Sequence, residues 1–122
     1  MPSGFDVKKV EDARELKKVQ RLRYKVYCDE WGFERHEDNP GGIENDIYDK
    51  SAAHFSAKNS EGDVVGTIRL ILDSPEGFPI EQHCDIQIEK YKLKREGLAE
   101  ISRLAIRKDY RRRAEDRFFL RS

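Results

Sequence analysis

The stretch Ala99-Glu-Ile-Ser-Arg-Leu-Ala-Ile106 decides the fold. Strand alternation sends Ile101, Arg103 and Ala105 to one face and Glu100, Ser102, Leu104 and Ile106 to the other. Its apolar enrichment predicts an interior strand. Yet an acid, a hydroxyl and a guanidinium fall within four consecutive positions. Buried charge is costly unless it is paired. Such a strand is either balanced by partners elsewhere in the chain or built for chemistry.

The neighbouring signal upstream is Val64 to Leu72, the strongest strand pattern in the chain. It is apolar on both faces, which predicts that both are covered. Arg69 stands in its middle and calls for a carboxylate. Gly66 within it points to a bulge or a close backbone approach. Ala53 to Lys58 reads as a partner strand, joined to it by a turn in which Gly62 supplies a positive φ. Further upstream, Phe5 to Val10 reads as a short strand or an ordered lead-in. Asp12 is an N-cap candidate, with Glu15 three residues on, so a helix is predicted from about Ala13 to about Glu30. Leu16, Val19, Val26 and Tyr27 share a stripe with Leu22 at its edge. Arg23, one turn before Tyr27, is either a solvated arginine or part of the buried edge. Gly32 ends the helix.

The segment from Glu34 to Asn45 is polar, with Asn39-Pro-Gly-Gly42 at its centre, and reads as a mobile loop, either a lid or a plain connector. Glu44, Asp46 and Asp49 follow. They are too few and too widely spaced for a calcium loop. They are either a solvated acidic turn or, for Asp46 and Asp49, partners of distant arginines. Phe78-Pro-Ile80 fits a sheet edge, and the signal from Glu81 to Gly97, including Ile86, Ile88, Tyr91 and Leu93, is mixed. Beyond Ile106, Arg111-Arg-Arg113 and Phe118-Phe-Leu120 suggest the start of a helix whose apolar patch has no partner in the chain, so the reading is of a truncated fold.

The 122 residues suffice for one domain. Lys and Arg number 24, as do Asp and Glu, so the net charge is zero, which argues against polyanion and nucleic-acid binding. Cys28 and Cys84 have no metal-ligand spacing, and no metal is expected. There is no signal peptide or apolar run of membrane length, so a reducing cytoplasm is the default setting.

Taken in order, Arg23-x-x-Val26-Tyr27, Trp31-Gly32, Glu44-x-Asp46-x-x-Asp49, Gly66-x-x-Arg69-Leu70 and Glu100-x-Ser102-Arg103 resemble the acyl-homoserine-lactone synthases and, more closely, the N-acyl amino acid synthases and the acyltransferases associated with exosortase systems. The resemblance spans roughly residues 20 to 113. It implies an α/β fold of the GNAT type, a mixed, mostly antiparallel sheet flanked by helices, with residues 1–122 as its N-terminal part. It implies transfer of a fatty acyl group from an acyl carrier protein or coenzyme A thioester to the amine of an amino acid or related acceptor, with no bound cofactor. Glu100 then matches the general base, with Ser102 beside it. Arg23, Asp46, Asp49, Arg69 and Arg103 match a charged cluster at the acceptor site, which holds the acceptor's carboxylate or shapes its pocket. Trp31 or Phe33 matches a nearby aromatic. Arg111, Arg112 and Arg113 are placed to meet an anionic carrier. One departure stands out: no glycine follows Ile106, so the glycine-rich phosphate loop of GNAT enzymes is missing. The alternative is a non-catalytic relative that binds an acyl carrier protein or another partner.

Overall fold

The computed structural model describes residues 5–85, 87–91 and 93–111. Four strands form one antiparallel sheet in the order β1 (Asp6–Lys9), β2 (Ala52–Lys58), β3 (Val64–Leu72) and β4 (Ala99–Ile106). Helix α1 (Ala13–Tyr24) crosses one face and continues as a π-helical turn, Lys25–Glu30. The predicted helix therefore holds over its whole length, with its last stretch widened. Asp12 caps it as expected, its side chain accepting from the Glu15 N–H at 2.8 Å. Glu15 does not reach back to complete a capping box. It pairs instead with Lys58 at 2.8 Å, tying α1 to β2.

Two small apolar clusters hold the sheet. Leu22 and Val26 of the helix pack on Ala105 of β4, with Tyr27 and Val64 at the margin. Tyr48 and Phe78 pack on Ile71 of β3, flanked by Ala52 and Leu98. Charged side chains from α1, β3 and β4 also pack on the helix-side face.

Three expectations are corrected. β4 is not interior among the described residues: it pairs with β3 alone, and Ile101 and Leu104 are 67% and 57% exposed. Its alternation is also broken. Thr67 faces Ala105 and Arg69 faces Ser102, so Arg103 and Leu104 together oppose Ile68 in a β-bulge. Arg103 adopts φ +52 there, and a non-glycine residue in that region stores about 1–3 kcal/mol of strain. The extra residue puts Glu100, Ser102, Arg103 and Ala105 on the same side of the sheet, so Arg103 joins the residues the simple pleat assigns to opposite faces. Third, β3 is not covered equally: Val65, Thr67, Arg69 and Ile71 are buried, while its other face is only half-buried. The reason is that α1 lies on one side.

The polar segment after the helix is folded, in two short 3₁₀ turns, His36–Asp38 and Pro40–Gly42. Buried Asn39 donates to the Arg35 carbonyl at 2.8 Å within the segment and reaches the helix end through the Cys28 sulfur at 3.8 Å. Ile86 and the Phe118-Phe-Leu120 patch lie outside the described residues. Among the described residues, no helix is long and apolar enough to cross a membrane.

Gly66 does neighbour a register shift between Ala57 and Lys58, but the backbone approach is not tight: an added Cβ would meet the Ala57 Cβ at 3.6 Å, an ordinary contact. Gly66→Ala is therefore expected to leave stability unchanged or raise it by about 0.5–1 kcal/mol through the unfolded chain. Urea denaturation measures this; a loss above about 1 kcal/mol contradicts the stated geometry.

Candidate functional site

The helix-side face of the sheet carries a buried charge network. Arg23 of α1 is fully buried. Its Nε donates to Glu44 at 2.7 Å, and its two terminal nitrogens donate to the two Asp49 oxygens at 3.1 Å each. Arg69 of β3, 1% exposed, donates to Asp46 at 2.6 Å, to Asp49, and through Nε to the Ser102 hydroxyl at 3.0 Å. Arg103 donates to both Glu44 oxygens at 3.1 and 3.2 Å, and to Glu34 and Asp46 at 3.4 Å. The solvated reading of Arg23 and of the acidic turn is thus replaced by pairing. The spacing Glu44-x-Asp46-x-x-Asp49 works because this segment folds as a tight turn, with the Tyr48 N–H donating to Asp46 at 3.0 Å.

Four carboxylates, Glu34, Glu44, Asp46 and Asp49, face three guanidiniums, and each guanidinium is already engaged by at least two of them. The network is therefore not a spare cationic clamp. It offers its acidic side outward, at Asp46 and Glu34, which are partly exposed along with Arg103. Burial alone would raise the Asp49 carboxyl; the Arg23 charge and hydrogen bonds from Arg23, Gln20 and Arg69 overcome it and hold it below its usual value.

Glu100 and Ser102 sit on the same face of β4. Glu100 is half-buried, and one oxygen accepts the Ile80 N–H at 2.9 Å. The bulge is pinned from the helix: the Tyr27 hydroxyl donates to the Leu104 carbonyl at 2.8 Å, and its ring lies 5.2 Å under the Arg103 guanidinium. Trp31 and Phe33 form an aromatic trio with Tyr27, at 5.9 and 6.4 Å between centroids, and both are largely exposed. The two rings also lie 5.4 Å from each other, so both belong to one aromatic patch around Tyr27.

Arg111, one of the three arginines expected to meet an anionic carrier, is engaged within the chain. It makes a two-pronged pair with Glu30, at 3.3 and 2.8 Å, and stacks 5.1 Å over Trp31. Arg112 and Arg113 lie outside the described residues. Reading by residue type missed Glu44 as the hub shared by Arg23 and Arg103, and missed Tyr27, Tyr48 and His54. The i, i+4 placement of Tyr27 after Arg23 was the available signal. The hydroxyl of buried Tyr48 accepts from Gln82, and burial raises its pKa.

His54 of β2 stands opposite Arg69 in the register, and its Nε2 meets the Asp49 carbonyl at 3.1 Å while buried Nδ1 has no hydrogen-bond partner. Burial lowers its pKa below the usual 6.5, helped by the Arg23 and Arg69 charges and opposed by Asp49. The unfolded chain thus binds the proton first, so stability is full above about pH 6.5 and falls as pH drops below it. Thermal midpoints between pH 7.5 and 5 are expected to decline, and His54→Gln to flatten the decline; an unchanged slope in the variant rejects this origin. Glu44→Ala, which leaves Arg23 and Arg103 without their shared counter-ion, is expected to cost about 3–5 kcal/mol in urea denaturation. A loss below about 1 kcal/mol would show that the hub does not hold the network.

Comparison with known proteins places the fold. Three solved structures share the fold. The acyl-homoserine-lactone synthase LasI superposes with a TM-score of 0.61 at 21% identity, over 86% of this chain and 54% of LasI. FeeM, an N-acyl amino acid synthase from uncultured soil microbes, gives 0.59 at 18%, over 94% and 60%. TofI, solved with an inhibitor and MTA, gives 0.57 at 19%, over 84% and 56%. The chain thus spans a little more than half the length of these proteins, and at such identities the likeness is one of fold. No curated protein sequence matches the chain. The profile of the acetyltransferase (GNAT) domain matches residues 22–121, from the last turn of α1 past the end of β4, and the chain belongs to that family.

Proposed function

We propose that this chain carries the amine-acylating site of an acyltransferase, moving a fatty acyl group from a thioester to the amine of an amino acid or related acceptor. The observation that supports this best is the β4 bulge, which brings Glu100, Ser102 and Arg103 onto the face that holds the buried network. The donor in this reading is an acyl carrier protein or coenzyme A thioester, and the setting is the cytoplasm. The strings Arg23-Tyr-Lys-Val-Tyr-Cys28 and Glu100-Ile-Ser-Arg-Leu-Ala-Ile106 favour the branch associated with exosortase systems.

The chemistry follows from the charges. An ammonium is no nucleophile, so it must first lose a proton. The excess of carboxylates over guanidiniums attracts the ammonium of the acceptor, and the partly exposed Asp46 and Glu34 are where it would arrive. Glu100 holds one oxygen on the Ile80 N–H, which leaves the other to take the proton, directly or through a water. The amine then attacks the thioester carbonyl, the C–S bond breaks as the tetrahedral intermediate collapses, and the surplus proton on nitrogen passes to the departing thiolate. The Ser102 hydroxyl, accepting from Arg69, keeps its own proton for donation to that intermediate. The network's part is to shape and hold this corner rather than to grip a carboxylate.

The test is single-turnover transfer from a long-chain acyl carrier thioester to a panel of amino acids and simple amines. Glu100→Gln is expected to lower the rate by at least about a hundredfold with an unchanged amide spectrum. A wild-type rate in Glu100→Gln removes Glu100 from the role of base. Carrier binding without any product from the wild-type chain supports the alternative, a binding module.

A further inference from the structure

Among the described residues Glu100 makes one hydrogen bond: its Oε1 accepts the Ile80 N–H at 2.9 Å. Ile80 belongs to a 3₁₀ turn, Pro79–Gln82, that lies outside the sheet. Whatever holds that turn therefore holds the carboxylate. Phe78, 3% exposed, anchors it by packing with Tyr48 on Ile71, the β3 residue paired with Glu100. Apolar burial is non-directional, so it fixes the place of the turn and not the aim of one N–H. The far end is tied by Gln82, whose amide donates to the Tyr48 hydroxyl. The Tyr48 N–H donates in its turn to Asp46 at 3.0 Å. The same 3₁₀ turn thus joins the Glu100 carboxylate to the acidic segment where an ammonium would arrive.

The middle of the turn is gripped by Arg95. The Glu81 side chain folds back, and its Oε1 accepts the Phe78 N–H at 2.9 Å. Arg95 donates to both Glu81 oxygens in a fork, at 2.9 and 2.6 Å. Its Nε donates to Asp73, just past β3, at 3.3 Å, and its guanidinium lies 5.3 Å from the centre of the Phe78 ring. Arg95 itself opens a second 3₁₀ turn, Arg95–Gly97, that feeds into β4. One guanidinium therefore clamps the end of β3, the approach to β4 and the turn over Glu100. Hydrogen bonds from Arg95 and from the Phe78 N–H bring the Glu81 carboxyl down to about 2, so the fork stays ionised at neutral pH. Gly77, at φ +73, leaves room for it: an added Cβ would meet Glu81 Oε1 at 3.0 Å and Arg95 Nη2 at 3.6 Å.

We propose, on the reading of Glu100 as the base, that Arg95 is a positioning residue for Glu100 and acts through the Phe78–Gln82 turn. The path runs from the Arg95 guanidinium to the Glu81 carboxylate, along the backbone to Ile80, and through the Ile80 N–H to Glu100. An ion pair whose side chains are each 30% exposed adds little stability. Its contribution is direction: a forked guanidinium fixes the orientation of the carboxylate, which a point charge does not. Direction is what the base needs. The free oxygen of Glu100 must meet the ammonium proton within hydrogen-bond reach, and a displacement of about 1 Å can cost roughly a hundredfold in rate.

The first readout needs no activity. Hydrogen exchange at the Ile80 amide reports the bond to Glu100. Glu100→Ala is expected to speed that exchange at least about tenfold, and Arg95→Ala to do the same with the thermal midpoint close to that of the wild type. The second readout is single-turnover transfer from a long-chain acyl carrier thioester to the amine that reacts fastest among those tried. Arg95→Ala is expected to lower the rate at least about tenfold without changing the amine concentration that gives half the maximal rate. Made on top of Glu100→Gln, the same change is expected to lower the remaining rate by less than about twofold, because a residue that acts through Glu100 has nothing left to position. Arg95→Lys keeps the charge without the fork and repeats both measurements should Arg95→Ala fail to fold. An Ile80 amide indifferent to Glu100→Ala or to the Arg95 variants overturns the proposal. So does a rate loss of the same size with and without Glu100→Gln, which is the mark of a plain structural clamp. If Ile80 exchange responds as described but the wild-type chain transfers no acyl group, the contact stands and the acyltransferase reading falls. If Glu100→Gln lowers transfer and the Arg95 variants keep the wild-type rate, the reading stands and the positioning role falls.

Discussion

Everything on the helix side of this sheet depends on the need to neutralise Arg23 and Arg69 out of water. Two fully desolvated guanidiniums are tolerable only if carboxylates reach them with good geometry, because an unpaired buried charge destabilises far more than a paired one contributes. That requirement fixes the path of the chain from Glu44 to Asp49. It also positions α1, since Arg23 lies between Leu22 and Val26 on the buried face. The apolar clusters on either side are small, a few residues each. The ionic layer between them therefore determines which helix face and which strand register are compatible, more than it adds stability.

The β4 bulge is the second constraint and follows from the first. Glu44, already bound by Arg23, has lone pairs to spare, and Arg103 reaches them only from a left-handed backbone. The strain is offset by pairing with three carboxylates, stacking on Tyr27, and the hydrogen bond from the Tyr27 hydroxyl to Leu104. A regular pleat would have sent Ser102 and Arg103 to opposite faces. The irregular one gathers acid, hydroxyl and guanidinium together, as strained backbone does where chemistry is performed.

How much of this was legible in the sequence depends on the range of the forces. Asp12 as a cap, Gly32 and Gly62 at positive φ, and the alternation of β2 and β3 are local and were readable. Glu44 was readable as an acid but not as a buried hub, because its two partners lie 21 and 59 residues away. The bulge was not readable, since nothing in Ile101-Ser-Arg-Leu104 departs from a strand pattern; the contacts that impose it come from Tyr27 and Glu44. The polar segment around Asn39 looked mobile because its order comes from polar contacts, the buried Asn39 amide and the His36–Asp29 pair among them, rather than from an apolar pattern. Arg23, Asp46, Asp49, Arg69 and Arg103 converge as a charged cluster, while Arg111 turned inward to Glu30, a pairing across 81 positions that no local pattern announces.

The π-helical turn sets the phase between the two ends of the helix. A helix that widens over Lys25–Glu30 closes i→i+5 bonds, as from the Trp31 N–H to the Val26 carbonyl at 3.1 Å, and so fits more residues into a turn than its α-helical neighbour without breaking. Each residue of an α-helix advances by about 100°, so losing one here would rotate Trp31 and Glu30 away from Arg111 while Arg23 stayed in place. Substitutions within these six positions change side chains, but a deletion changes the phase between two halves of the site.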